Sequence, residues 1–145
     1  MTHCELAQSY HEKGYNCCQS VLAAFSDVTG LDEKTALTLT VGMGRGANTG
    51  ELCGAISGAL LVLGAVLGVD ENDPVGSKRR AGAYMQRFQQ RFAERFGALR
   101  CEPLLQTDVS APAGGAAEQM GLTARCAILI ATAVELTEQL LAEIE

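Results

Sequence analysis

Cysteine is the residue type in this sequence that most clearly indicates chemistry. The chain has six cysteines, namely Cys4, Cys17, Cys18, Cys53, Cys101 and Cys126. No two of them form a CxxC arrangement, so the common zinc-ribbon and thioredoxin signatures are absent. The N-terminal segment MTHCELAQSYHEKG lacks the basic start and apolar run of a signal peptide, which predicts a cytoplasmic protein. Thiols there are mostly kept reduced, so we expect metal binding or redox chemistry rather than permanent disulfides.

The composition favours an all-α fold. The 145-residue chain is 48% hydrophobic but only 5% aromatic and has no tryptophan. Its apolar residues are mainly Ala, Leu and Val, which favours packed helices over a β-sandwich. Because this length is that of one ordinary domain, residues 1–145 are predicted to form a single compact bundle of about five to seven helices.

Charge and hydropathy argue against two classes of interaction. The net charge is −6 and the pI is near 4.9, whereas a nucleic-acid-binding protein needs a basic face, so we expect no nucleic-acid partner. Basic residues between positions 78 and 95 have the spacing of a solvated helix face. The uncharged segment 54–69 is shorter than the about 20 residues that span a bilayer. It is predicted to be a buried helix, and the chain is not expected to be an integral membrane protein.

Capping residues predict where several helices begin. Thr2 and Asn16 each have a glutamate or glutamine three residues later, which makes a capping box. Asp32, Asp73 and Thr123 are the other predicted caps. The glycine-rich segment 42–50 lacks the lysine of a P-loop and the strand that a dinucleotide fingerprint requires, so we expect a shaping turn and no nucleotide.

Two predicted helices carry large apolar surfaces. One runs from about Glu51 to Gly68, and the other ends at Gly97. The second bears an aromatic stripe at every fourth residue, Tyr84, Phe88, Phe92 and Phe96, which is typical of core packing. The surface of one or the other helix is expected to exceed what one small domain readily covers, which favours a homodimer.

Four cysteines fall near predicted helix starts, and these are Cys17, Cys53, Cys101 and Cys126. The positive end of a helix dipole stabilises a thiolate, so we expect a lowered pKa at such positions. Arg45, Arg100 and Arg125 lie next to these segments and would add to the effect. However, Cys4 also lies near a helix start and Cys18 adjoins the first of the four, so position alone does not choose four cysteines from six.

A family resemblance makes that choice. The segments NCCQSVL (16–22), GMGRG (42–46) and CGAISGAL (53–60), with two isolated later cysteines, resemble the C_GCAxxG_C_C family of redox-active proteins. That family is defined by four cysteines and a CGAxxG motif, and the resemblance covers nearly the whole chain from Gly14 onward. It implies that the family cysteines are Cys17, Cys53, Cys101 and Cys126. Two departures stand out: Cys18 replaces a residue that is usually small, and Glu51 lies close to the expected position of an anionic cluster.

The same domain type is similar to the iron–sulfur part of split-Soret cytochromes. This similarity implies a [2Fe–2S]-type cluster held by the four cysteines, whereas the absence of CxxCH predicts no c-type haem. Gly54 and Gly58 lie one turn apart on a predicted helix and would let a neighbouring backbone approach closely. With Arg45 they are the predicted cofactor-binding residues. His3 and His11 are expected to be exposed and not to be ligands.

Three functions remain open at this point. The first is one-electron transfer through an iron–sulfur cluster, with an unknown redox partner protein. The second is a thiol–disulfide enzyme with a low-pKa cysteine pair. The third is not redox: a structural zinc site or a helical interaction module. The same four cysteines would be metal ligands in the first case and redox-active thiols in the second.

Overall fold

The computed structural model describes residues 1–144, and its regular structure is helical. The α-helices of these residues are α1 His3–Glu12, α2 Cys17–Ala24, α3 Ser26–Thr29, α4 Glu33–Leu39, α5 Gly54–Leu67, α6 Pro74–Phe96, α7 Cys101–Gln106, α8 Ala116–Gln119 and α9 Arg125–Glu143. An irregular helical turn spans Gly46–Gly50. Within residues 1–144 the β-type pairing is limited to one isolated bridge, between Leu52 and Arg100. The all-α prediction is therefore confirmed.

The number of helices is larger than predicted. The described chain has ten helical segments, against the expected five to seven, because four of them are one turn or little longer. Helix α2 ends at Ala24, and α3 follows as a separate turn. The helix predicted from Glu51 begins only at Gly54, since the residues before it are held in the bridge to Arg100.

Side-chain capping explains four of the nine α-helix starts in residues 1–144. Both predicted capping boxes are present, at Thr2 and Asn16, and the carboxylates of Asp32 and Asp73 accept backbone N–H groups of their first turns. The predicted cap at Thr123 is wrong. Helix α9 begins one residue later, at Arg125, without a side-chain cap.

The core lies between α2, α5 and α9. Helix α5 packs against α2, α6 and α9, and α9 also contacts α1 and α8. In the aromatic stripe of α6, Phe88 and Phe92 are fully buried, whereas Tyr84 and Phe96 are partly exposed at its ends. The stripe is thus core, as predicted. None of the helices in residues 1–144 combines the length and the apolarity needed to cross a membrane.

The crossing of α2 and α5 depends on two glycines. A Cβ atom at Gly58 would lie 2.8 Å from the carbonyl oxygen of Cys18 and 3.0 Å from Cβ of Val21. A Cβ atom at Gly54 would lie 3.2 Å from the backbone nitrogen of Cys18 and 3.3 Å from Cβ of Cys17. A larger residue at either position would force the helices apart. The expected close approach of a neighbouring backbone is therefore present, and it places Cys17 beside Gly54.

Candidate cysteine site

Four helix starts converge on one cavity. Its volume is about 360 Å³, and its lining includes Cys17, Cys53, Cys101 and Cys126. Cys17 and Cys101 are the first residues of α2 and α7, Cys53 immediately precedes α5, and Cys126 is the second residue of α9. Leucines complete much of the wall, so the space, hereafter the cysteine cavity, is largely apolar. Residues widely separated in sequence thus meet at one place.

Backbone hydrogen bonds bring Cys53 and Cys101 together. The N–H of Cys53 donates to the carbonyl of Leu99 at 2.8 Å, and the N–H of Cys101 donates to the carbonyl of Glu51 at 2.6 Å. These two bonds form the Leu52–Arg100 bridge. No short-range motif marks such a bridge, so it was not predictable from neighbouring residues.

Side chains around this bridge are also paired. Arg100 donates to the carboxylate of Glu51, with Nε 3.1 Å from Oε2. From its position in the sequence, Glu51 was expected to add a negative charge close to the cluster. In the structure Arg100 compensates that charge. The pair is exposed and contributes little stability by itself.

Cys17 and Cys126 form a second pair, because a hydrogen-bonding interaction with the other thiol is the largest influence on the pKa of each. Each partner is held by its own helix start. Asn16 caps α2 and donates from Nδ2 to the carbonyls of Thr40 and Val41 at 3.1 and 3.2 Å. Arg125 begins α9 and donates to the carbonyl of Thr107, with Nη2 at 2.8 Å. The bond from Arg125 to Thr107 fixes the start of α9 beside the end of α7.

The pKa values of the four thiols differ in direction. The hydrogen bond from Cys17 lowers the pKa of Cys126 to about 6, and the positive charge of Arg125 acts in the same direction. The same bond, together with burial, raises the pKa of Cys17. Burial also raises the pKa of Cys53, to about 11, and that of Cys101. The expected general lowering at helix starts is therefore wrong for three of the four cysteines, because the interaction with Cys126 dominates at Cys17 and loss of hydration dominates at Cys53 and Cys101.

The predicted cofactor-binding residues have different locations. Gly54 and Arg45 line the cysteine cavity, and Arg45 lowers the pKa of Cys101 although burial prevails there. Gly58 does not line it, and acts instead at the crossing of α2 and α5. Leu104 and Leu129, which the sequence analysis did not select, form part of the wall.

The remaining cysteines and histidines lie outside the cavity. Cys4 is buried, and its Sγ lies 3.7 Å from the carbonyl oxygen of Ala131 as a hydrogen-bond donor. Cys18 is fully buried. His3 is not simply exposed, since its ring stacks on Phe25 with centroids 4.2 Å apart and is bonded to Asp27 and Glu138. These contacts give it a structural position at the base of α1.

The donor set fits an iron–sulfur cluster in number and chemistry. Such clusters take four cysteine thiolates, and four cysteines border a cavity with room between them. In residues 1–144, no three His, Cys, Asp or Glu side chains are gathered closely enough to hold one metal ion. Sulfurs around a single tetrahedral zinc would lie about 3.8 Å apart. The cysteines are thus dispersed around a space rather than focused on one point.

Comparison with known proteins gives one match. Residues 15–140 match the profile of the family described as "Putative redox-active protein (C_GCAxxG_C_C)". This range contains all four cysteines of the cavity. No curated protein and no solved structure matches the chain.

Proposed function

This chain belongs to the C_GCAxxG_C_C family of redox-active proteins, and from that premise we propose that it transfers single electrons through an iron–sulfur cluster of the [2Fe–2S] type. The proposed ligands are Cys17, Cys53, Cys101 and Cys126. The observation that carries the proposal is the convergence of these four side chains, from four separate helix starts, on one cavity. A packing role for each cysteine separately would not require this convergence.

The arrangement in two pairs supports a binuclear cluster. Each iron of a [2Fe–2S] cluster takes two protein ligands. The bridge at Leu52 and Arg100 joins the backbones that carry Cys53 and Cys101, and the thiols of Cys17 and Cys126 shift each other's pKa. When bound, the cluster supplies a site that accepts and releases one electron. The electron would come from a one-electron carrier protein and leave to a second one.

Three of the four thiols, those of Cys17, Cys53 and Cys101, have raised pKa values and would lose protons when the cluster binds. Metal ligation requires deprotonated thiols, so binding releases protons and tightens as the pH rises. Burial keeps Cys53 protonated near neutral pH, while Cys126 is already ionised. Arg45 and Arg125 would offset part of the negative charge of the bound thiolates. Leu104 and Leu129 would limit the access of water.

The first experiment is an anaerobic purification followed by an absorption spectrum and by iron, sulfide and zinc analysis. We expect about two iron and two sulfide per chain, lost together in Cys53→Ser. The matched control is Cys18→Ala, which changes a buried cysteine outside the cavity and should keep both. A colourless protein without iron and sulfide would contradict the proposal, and stoichiometric zinc would favour the structural site.

The pairing of Cys17 and Cys126 favours a second candidate, thiol–disulfide exchange. Cys126, with its lowered pKa, would attack a substrate disulfide and release one substrate thiolate. The sulfur of Cys17 would then attack the mixed disulfide, releasing the second thiolate and leaving a Cys17–Cys126 disulfide. Two electrons pass to the substrate together with the proton of Cys17, and the other substrate thiolate takes its proton from solvent. An iron-free protein in which these two thiols pair reversibly, and in which Cys17→Ser traps a mixed disulfide, would establish this alternative.

A further inference from the structure

A second cavity adjoins the cysteine cavity. Its volume is about 540 Å³, and Arg45, Cys101 and Leu105 line both spaces. We call it the outer cavity. Its own walls are polar: backbone and side chains of residues 48–50 on one segment, and Glu102 and Gln106 on α7. This volume is within the range of about 300–1,000 Å³ that small-molecule sites have.

Two opposite charges at the outer cavity have no protein partner. Within residues 1–144, the guanidinium of Arg45 and the carboxylate of Glu102 make no hydrogen bond or ion pair, with each other or with any other group. Neighbouring charges behave differently, since Arg100 pairs with Glu51 and Arg125 donates to the carbonyl of Thr107. The outer cavity therefore offers one cation and one anion that a ligand can satisfy.

The segment that presents Arg45 has a strained backbone. Arg45, Ala47 and Asn48 have φ values of 52°, 55° and 64°, and Gly46 between them has φ 61°. The left-handed conformation is unfavourable for residues other than glycine, because their Cβ atom crowds the backbone. Strain of this kind persists only where the surrounding structure enforces it, and it is concentrated at functional sites.

Specific contacts enforce this turn and connect it to the cysteines. A Cβ atom at Gly46 would collide with the backbone of Glu51, and the N–H of Glu51 donates to the carbonyl of Gly46 at 3.2 Å. Asn48 donates from Nδ2 to the carbonyl of Gly42 at 2.8 Å. Because the carbonyl of Glu51 accepts the N–H of Cys101, the turn and the shared wall form one connected unit. Arg45 is thereby held at the boundary of both cavities.

We propose that the outer cavity binds a small zwitterion, whose carboxylate pairs with Arg45 and whose ammonium group pairs with Glu102. A guanidinium matches a carboxylate with two parallel hydrogen bonds, and a glutamate accepts from an ammonium group. The ligand class is that of amino acids and short peptides. Bound there, the ligand lies against Cys101. The redox relevance of this contact rests on the function proposed above, whereas binding itself does not.

The test measures binding of three tripeptides by anaerobic calorimetric titration of the protein as purified. Triglycine carries both charges, N-acetyltriglycine only the carboxylate, and triglycine amide only the ammonium group. Each lost charge-assisted interaction should weaken binding about tenfold or more relative to triglycine. Equal affinity for all three probes, or no binding of triglycine, would overturn the proposal.

Variants assign each charge to its residue. In Arg45→Gln, triglycine and triglycine amide should bind equally, because the carboxylate has lost its partner. In Glu102→Gln, triglycine and N-acetyltriglycine should bind equally. Arg79→Gln and Glu71→Gln, which change exposed residues away from the cavity, should leave the preferences unchanged. If either control abolished a preference as fully as its site variant, the assignment would be wrong.

The outcomes separate this inference from the proposed function. Iron and sulfide content is measured on the same preparations, and binding does not depend on it. A preparation with its cluster that does not bind triglycine would contradict the zwitterion site alone. A preparation without iron that binds triglycine with the expected preferences would contradict only the cluster.

Discussion

Buried cysteines occupy two different regions of this molecule. Cys4 and Cys18 lie in packed helix interfaces, and burial raises the pKa of each to about 12. Cys53 is equally hidden from solvent, at 3% exposure, yet its side chain borders the cysteine cavity. Burial therefore does not distinguish a structural cysteine from a candidate functional one. The distinguishing feature is the presence of other sulfurs across an open space.

The difference has its origin in backbone placement. Cys17 and Cys18 are neighbours in sequence, but successive helix residues point in directions about 100° apart. Cys17 faces the cavity, whereas the backbone of Cys18 lies under Gly58 of α5. Two adjacent positions of α2 thus differ: the first side chain faces the cavity and the second is packed in a helix interface.

The largest expected effect is on the pH dependence of alkylation. In reduced, metal-free protein, Cys126 should react with iodoacetamide with a midpoint near pH 6, about three pH units below an ordinary thiol. Because the pKa is lowered, the thiolate persists above this midpoint and is lost as the pH falls through it. Cys18 should stay unreactive across the same range. Peptide mapping by mass spectrometry after timed quenching gives the rate at each cysteine.

A pair of variants sharpens this measurement. Cys17→Ala removes the donor that lowers the pKa of Cys126, so the midpoint should move toward 9.0, the ordinary value. Cys17→Ser keeps a hydroxyl donor and should keep part of the shift. An unchanged midpoint in Cys17→Ala would show that the charge of Arg125, and not the thiol pair, controls Cys126.

The next largest expected effect is on stability, at the contact between Gly58 of α5 and the backbone of Cys18. Gly58→Ala places a methyl group 2.8 Å from a backbone carbonyl, and overpacking of this kind costs about 2 kcal/mol. Urea unfolding should show a lower midpoint with an unchanged slope. The iron content should also fall, since α2 carries Cys17.

Gly82→Ala is the matched control for this substitution. Gly82 lies within α6, and a Cβ atom there meets no heavy atom within 4 Å. Alanine should stabilise the helix by about 0.5–1 kcal/mol, since glycine is the poorer helix former. If the two alanine variants changed stability in the same direction, close approach at Gly58 would not govern the packing of α2 on α5.

Local signals predicted much of this structure. The capping box at Asn16 placed Cys17 at the start of α2, and Gly97 ended α6 with φ 75°. Both features depend on residues within one turn of each other. The start of α5 was placed three residues too early, because the bridge between Leu52 and Arg100 joins distant parts of the chain. Neighbouring residues carry no information about such a pairing.

The electrostatics of the site were less predictable. The four cysteines lie at or next to helix starts as predicted, but the predicted sign of the pKa shift is wrong at Cys17, Cys53 and Cys101. Those shifts depend on burial and on which sulfurs meet, which are tertiary properties. The absence of ion-pair partners for Arg45 and Glu102 was likewise not predictable, since a sequence does not show which charged side chains form ion pairs.

The smallest expected effect tests whether Cys18 belongs to the packed region. Cys18→Ala leaves a space about the size of one sulfur atom in a tight interface, which should cost about 1 kcal/mol of unfolding free energy. Iron and sulfide per chain should equal those of the unmodified protein, because the side chain does not line the cavity. A loss of cofactor as complete as that in Cys53→Ser would instead make Cys18 a ligand. Cys18 would then belong with the cavity cysteines, and burial in a helix interface would not separate it from Cys17.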